Sequence, residues 1–577
     1  MKHSLSGVLK RFLKANKWAI IGIAALTGFF ALSLKVVVPF DTDSFYGQHS
    51  WLSGSTIKFV NNWLEEGAAN LNFTSYEFPK SIEHTAIEDR GAYLSYPTGE
   101  VFFVYIFAKA TGHSQIDISF LRKFQAVWFW FEAVLIFVFV WLFMRRTIRS
   151  DHKIENALFA FCTSAMWILM PTCTYYLANV YFADQCVILW VIAYVLANYV
   201  RWTSKNKRIP SIACVLLLFS GILIDYYFWI LAFFVFVYDL VVAIKNAKSK
   251  EKLKASVKTI LFHGIPTVLA LIVFYLQLSQ TNDWLSVMML KAKVRTSSDG
   301  IGKSSIRMVL DNIAHAFAFS PELIVFLAAL VVFAIFLFAK LIVSKEKRKK
   351  YLSNNPGFAV FVIYFVATAT QLLVLRNHSG VHEFSMIKIA WIVTMLPLFI
   401  ATCLKYLSKQ DTTDKEVELF KKIKLSHFGI SFGIVAILVV FATGIPFSTK
   451  NFYKSRWSVD KIDYSIAWVL AQETKYEDVV FSYTHSIPDN PPQELSVSKK
   501  VVYEISELKE MKTLFPNLPA EAKRLLLVEK NSDESEKELE KSQLKSIECA
   551  EKNGTIRFEN DEIILLEIAQ DSSCLAN

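Results

Sequence analysis

Long apolar runs recur along the chain, separated by short polar connections. They lie near 18–38, 123–144, 156–173, 184–200, 211–227, 228–244, 259–278, 317–339, 357–375, 385–404 and 428–445. Each is long enough as a helix to cross most or all of a hydrocarbon core of roughly 30 Å. The runs lack the alternation of apolar and polar positions that barrel strands require, so helices are predicted. Eleven spans follow. The segment EVFFVYIFAKATG (100–112) is apolar but short. Counting it as a span would reverse every later connection, so it reads as a juxtamembrane or half-embedded helix. SWLSGSTIKFVNNWLEEG, just before it, has apolar residues at helical spacing and reads as an amphipathic surface helix.

After residue 445 the pattern changes. EDVVFSYTH, KKVVYEI, KRLLLVEK and the pair TIRFE and EIILLEI read as short strands, and SVDKIDYSIAWVLAQET and SELKEMKTLF as helices. Residues 446–577 are expected to form a soluble α/β domain, with NSDESEKELEKSQLK as a solvated, charged excursion. Residues 1–445 form the membrane domain, in which 39–122 is a long first external segment. The predicted architecture is therefore a polytopic α-helical membrane protein of about eleven spans with a C-terminal extracytoplasmic α/β domain.

Composition agrees with the pattern. The 577 residues are 54% hydrophobic and 15% aromatic, with a mean hydropathy of +0.36, too apolar for an ordinary soluble protein. The net charge of +11 invites a nucleic-acid reading, but its distribution opposes one. Half of the lysines and arginines fall in alternate connections, 1–17, 145–155, 201–210, 245–258, 340–356 and 405–427. By the positive-inside rule these connections are cytoplasmic. The N-terminus is then inside and the C-terminal domain outside, in the bacterial cytoplasmic membrane or, in a eukaryote, the endoplasmic reticulum. Of seven cysteines, five lie in or beside spans and read as packing residues. Cys549 and Cys574 lie in the external domain, where a disulfide between them is allowed.

Three groups of residues carry candidate chemistry, all on the outer side of this topology. Asp41 and Asp43 follow the first span in VVVPFDTDSFYGQHSW, where paired carboxylates can take a proton or bind a metal. The plainer reading is an acidic turn. Asp184, in YFADQ, is either a helix cap or a third site carboxylate. The segment RNHSGVHEFSMIK places Arg376, His378, His382, Glu383 and Lys388 in one connection. The HxxxH spacing is compatible with metal binding, although Gly380 weakens the helix it needs. A cationic, hydrogen-bonding wall for phosphate fits the segment better. Lys291, Lys293, Arg295, Lys303 and Arg307 form a second basic cluster against the topology bias, which an anionic ligand would explain. Glu100 is a further pocket candidate, as is Asp225, while Glu132 and Asp239 lie in or near spans. No Walker A, Rossmann, HExxH or GxSxG motif is present.

In order along the chain stand DTDSFY after the first span, YLSYPTGEVFFVYIFAKATG, TGHSQIDISFLRKFQ, WLFMRR, AMWILMPTCTYY, YFADQ and the late His/Arg/Lys segment. As an ordered set these resemble the GT-C fold membrane glycosyltransferases, close to the protein-mannosyltransferase and aminoarabinose-transferase group. The resemblance is good over 36–200, weaker to 404 and architectural beyond. Thr98 replaces the second proline of the common YPPG pattern, and Ser95 stands where some relatives have an acid.

The resemblance implies a polyprenyl-phosphate sugar donor, with its lipid tail among membrane lipid, and a glycan, lipid or protein acceptor. It implies Asp43 as base and Asp41, Asp184 and Glu100 as orienting or metal-binding groups. Arg295, Lys293, Arg376, His378, His382 and Lys388 would hold the phosphate. Members of the family differ in metal dependence, so a divalent metal, Mg or Mn, is an open expectation. The rival reading is a lipid-linked glycan transporter or polymerase. A transporter is expected to show paired half-chain repeats and broken central helices. Neither is read in the sequence.

Overall fold

A computed structural model describes residues 5–37, 47–80, 90–148, 152–296, 305–316, 328, 331–339, 356–408, 451, 454, 465–484, 492–530, 541–569 and 571–575. The first helices are α1 (Leu5–Val37), α2 (Ser50–Glu66), α3 (Gly99–Ala110), α4 (Ile118–Phe143), α5 (Lys153–Leu169) and α6 (Pro171–Asn179). Then come α7 (Ala183–Thr203), α8 (Arg208–Ile222), α9 (Tyr226–Asn246), α10 (Lys252–Leu278), α11 (Trp284–Thr296) and α12 (Ser305–Ala316). Helices Pro356–Val374, Arg376–Val381 and Ile387–Ser408 complete the described membrane domain.

Seven helices among the described residues are long and apolar enough to cross a membrane, or eight if the bent pair α5 and α6 is one span. The chain is therefore a polytopic helical membrane protein. The expected spans differ from the helices at two kinds of place. The run at 211–227 ends early: α8 stops at Ile222, and Asp225 caps α9 by accepting a 2.6 Å hydrogen bond from Tyr227 N. The run at 428–445 and most of that at 317–339 lie outside the described residues. The bend between α5 and α6 is 67°, with Pro171 at the start of α6. Proline has no N–H to continue the α5 ladder and suits a first helical turn.

Helix α2 is not a free surface helix. Every residue from Leu52 to Leu64 is buried. Its polar residues are buried because loops satisfy them. Asn61 exchanges hydrogen bonds with Ile116 O (3.0 Å) and Ile116 N (2.8 Å), and Trp63 Nε1 donates to Thr74 O (2.8 Å). Lys58 pairs with Glu77 at 3.3 Å. Burial pulls its pKa down, and Glu77 opposes that shift. Helix Pro492–Ser498 of the C-terminal region packs against α2, with Val497 against the membrane-domain core and Lys499 Nζ 2.8 Å from Glu65.

The C-terminal region forms a five-stranded mixed sheet in the order β2-β1-β3-β5-β4. The strands are β1 (Val479–Ser482), β2 (Val502–Glu504), β3 (Arg524–Glu529), β4 (Thr555–Glu559) and β5 (Ile563–Ile568), one in each segment read as a strand. β1 pairs in parallel with β2 and β3, and β5 pairs antiparallel with β3 and β4. The central strands are nearly continuous apolar runs because both faces are covered. Phe481, Leu526 and Leu566 enter one core, while Val480, Leu525 and Leu565 enter the other. A disulfide joins Cys549, on the helix Lys541–Asn553, to Cys574.

Candidate functional site

Three helix N-termini meet at one end of the bundle. Asp184 lies in the first turn of α7, Asp225 caps α9, and Lys388 lies in the first turn of the helix Ile387–Ser408. Lys388 Nζ sits 2.6 Å from Asp184 Oδ1 and 3.3 Å from Asp225 Oδ2. None of the three is more than 1% exposed. Helix N-termini favour the two carboxylates and disfavour the lysine, so the pairing is what places a cation there.

The YPTG loop closes over this cluster. Gly99 N donates to Leu223 O at 2.8 Å, and a Cβ at Gly99 would come within 2.3 Å of that oxygen. Only glycine lets the loop reach the break between α8 and α9 so closely. Thr98, which replaces the second proline, donates to Phe73 O (3.0 Å) and accepts from Gln277 Nε2 (2.8 Å). The loop thereby holds the Tyr96 hydroxyl 3.3 Å from Asp184 Oδ2 and 3.2 Å from His378 Nε2. A phenol has one proton. When Tyr96 donates to Asp184, His378 must present Nε2–H to the phenol oxygen. Burial, then the Asp184 charge, holds the Tyr96 pKa well above the ordinary phenol range.

Helix α11 and the helix Arg376–Val381 cover the cluster. Arg295 lies 4.6 Å over the Tyr96 ring, and its Nη1 donates to Ser95 O at 2.9 Å. One turn earlier, Lys291 Nζ donates to Ser95 Oγ at 2.9 Å. Arg376 Nε donates to Thr296 O (3.2 Å) and Asn377 Nδ2 to Val294 O (2.5 Å), which ties this segment to the end of α11. The His382 ring is 4.7 Å from that of His378. Burial first, then the neighbouring His378 and His49, push His382 down to about 3, so it is neutral at ordinary pH.

The structure thus gathers Asp184, Arg295, Arg376, His378, His382 and Lys388 at one end of the bundle. Lys293 is exposed, two residues round α11 from the face that carries Lys291 and Arg295. Glu100 is buried on α3, where its carboxyl meets Thr56 Oγ1 at 3.4 Å. Burial raises its pKa to about 8, and the Thr56 hydrogen bond opposes that shift. Asp41 and Asp43 lie outside the described residues. Among the described residues no group of three His, Cys, Asp or Glu side chains is arranged to hold a metal. Asp184 Oδ1 accepts from Lys388 and Oδ2 from Tyr96, while the Glu100 carboxyl accepts from Thr56.

Sequence reasoning missed Tyr96 and the selective contact of Lys291. The YPTG motif marked the loop, and the four-residue spacing of Lys291 from Arg295 was the available signal for the second.

No protein-family model matches the chain, and no curated protein matches it. Its fold is similar to solved GT-C membrane glycosyltransferases. One is ArnT from Cupriavidus metallidurans bound to undecaprenyl phosphate, with 10% identity over 96% of this chain and 99% of that one, at a TM-score of 0.49. Another is the oligosaccharyltransferase AglB from Archaeoglobus fulgidus, in complex with an inhibitory peptide and a dolichol-phosphate. It shows 11% identity over 89% of this chain and 69% of that one, at a TM-score of 0.49. The Archaeoglobus fulgidus oligosaccharyltransferase in complex with Zn and sulfate shows 13% identity over 89% and 68%, at 0.48.

Proposed function

We propose that the chain is a GT-C type glycosyltransferase that moves a sugar from a polyprenyl-phosphate donor to a hydroxyl acceptor at the outer membrane face. The observation that carries this reading is the buried Asp184–Lys388–Tyr96–His378 cluster at one end of the spans, rimmed by Arg295 and Lys291. The ordered motifs of the sequence support the same class. The disulfide Cys549–Cys574 supports an oxidising compartment for the C-terminal domain.

In this reaction the acceptor oxygen bonds to the anomeric carbon and the bond from that carbon to the phosphate oxygen breaks. The polyprenyl phosphate leaves with the electron pair, and the acceptor proton passes to a carboxylate, assigned to Asp43. Arg295 and Arg376 meet the phosphate, with His378 as a hydrogen-bond donor. Lys388 has both carboxylates to hold, so its role is to fix Asp184 and, through it, Tyr96. Purified protein incubated with a panel of polyprenyl-phosphate sugars and acceptors is expected to release polyprenyl phosphate. No release across the panel, from folded protein, would defeat the reading.

A further inference from the structure

Lys291 and Arg295 stand one turn apart on α11 and reach the same residue, Ser95. Their partners there are a hydroxyl and a backbone carbonyl, so neither contact cancels a charge. Among the described residues, the acids that act on them are engaged elsewhere. Glu77, which acts on Lys291, pairs with Lys58 at 3.3 Å. Asp184, which acts on Arg295, pairs with Lys388 at 2.6 Å. Aromatic rings back both cations: Lys291 Nζ is 5.2 Å from the Tyr93 ring, and Arg295 is 4.6 Å from that of Tyr96. An acid at position 95 would instead form an ion pair with Lys291.

We propose that Lys291 and Arg295 form a two-cation cradle for the leaving phosphate, and that the neutral side chain of Ser95 keeps both charges available to it. This rests on the reading of the site as one for a polyprenyl-phosphate sugar. Such a donor is a phosphodiester with one negative charge. When the bond to the anomeric carbon breaks, the phosphate becomes a monoester and gains a second charge. Cations without a compensating acid stabilise the doubly charged group more than the singly charged one. That difference lowers the barrier rather than merely tightening donor binding.

The test uses two soluble probes and the full-length protein in detergent: geranylgeranyl phosphate, a monoester, and its methyl diester. Wild type is expected to bind the monoester more tightly. Lys291→Met and Ser95→Asp should each weaken monoester binding by roughly 10- to 100-fold, the range for a lost hydrogen bond to a charged group, with little change for the diester. Lys291→Arg and Ser95→Thr should bind like wild type, which controls for folding. Wild type that binds neither probe would remove the donor reading itself. Wild type that binds, with Lys291→Met and Ser95→Asp unchanged or weakened equally for both probes, would overturn the cradle alone.

Discussion

Helices α7 and α9 each contribute to two buried charge clusters, one at either end. At their N-terminal ends Asp184 and Asp225 share Lys388. Toward their C-terminal ends Asp239 of α9 pairs with Arg201 of α7 and lies 2.7 Å from His263 of α10. The second cluster is closed: Trp202 Nε1 also donates to Asp239 at 2.8 Å, and the partners all come from helices. The first cluster is open to loops. Tyr96 reaches it from the YPTG loop, His378 from the short helix Arg376–Val381 and Arg295 from the last turn of α11, and among the described residues Lys291 and Arg295 hydrogen-bond only to neutral oxygens. Both ends bury charge in membrane helices, so buried charge alone does not distinguish them. What distinguishes the first end, and makes it the candidate site, is that separate segments bring further charges to it without cancelling them.

The contrast can be broken most directly by turnover. Asp43→Asn is expected to lower sugar transfer by roughly 10²–10⁴-fold, the range for loss of a general base. Asp239→Asn removes a carboxylate from the closed cluster and should leave turnover per folded molecule nearly unchanged. A fully active Asp43→Asn protein would reject the base assignment. Equal losses from both would make the closed cluster as important to turnover as the assigned base.

Stability sharpens it next. Lys388→Met leaves Asp184 and Asp225 buried without their cation, at a cost of about 3–5 kcal/mol in chemical unfolding. Asp239→Asn should cost a similar amount, since Arg201 loses its buried counter-charge and one of the two acceptor oxygens becomes an NH2 donor. Only the first should also reduce turnover of the folded fraction.

Glu100 offers a pH test. Its carboxyl has a hydroxyl partner, Thr56, and keeps its proton up to about 8, whereas the unfolded chain releases it near 4.5. The folded state binds the extra proton between those values, so stability should fall as pH rises through that window, by roughly 1.4 kcal/mol for each unit of the gap. Glu100→Gln should flatten that slope in thermal unfolding from pH 5 to 8. A slope identical to wild type would place another group in control.

The smallest effect is expected at the loop. Gly99→Ala drives a methyl into Leu223 O and should cost about 1–3 kcal/mol, the range for overpacking. It should also weaken binding of a prenyl phosphate by lifting Tyr96 from Asp184. Unchanged binding would show that the loop does not set the site.

The spans could be read because apolar length is a property of contiguous sequence. The break at 223–225 could not, since ILIDYYFW interrupts an otherwise apolar stretch with a single acid. Asp225 therefore stood only as a candidate near the site. Lys388 and Asp184 are 204 residues apart, and no local pattern announces their pairing. The positive charge of the 376–388 segment suggested phosphate, while the fold gives its lysine two carboxylates. The basic run assigns Lys293, not Lys291, to the phosphate beside Arg295. Helical geometry separates them, because only Lys291 shares a face with Arg295.

Helix α2 has one more consequence. Its buried polar residues are satisfied by the loops around Thr74 and Ile116, and helix Pro492–Ser498 lies against it. The C-terminal region is thus not an interchangeable module. A graft from another chain would have to reproduce the seat for Val497 and the Lys499–Glu65 contact, or leave part of α2 uncovered. Changes in α2 and in this distant helix should therefore be inherited together, so that the two ends of the chain diverge as one lineage rather than two.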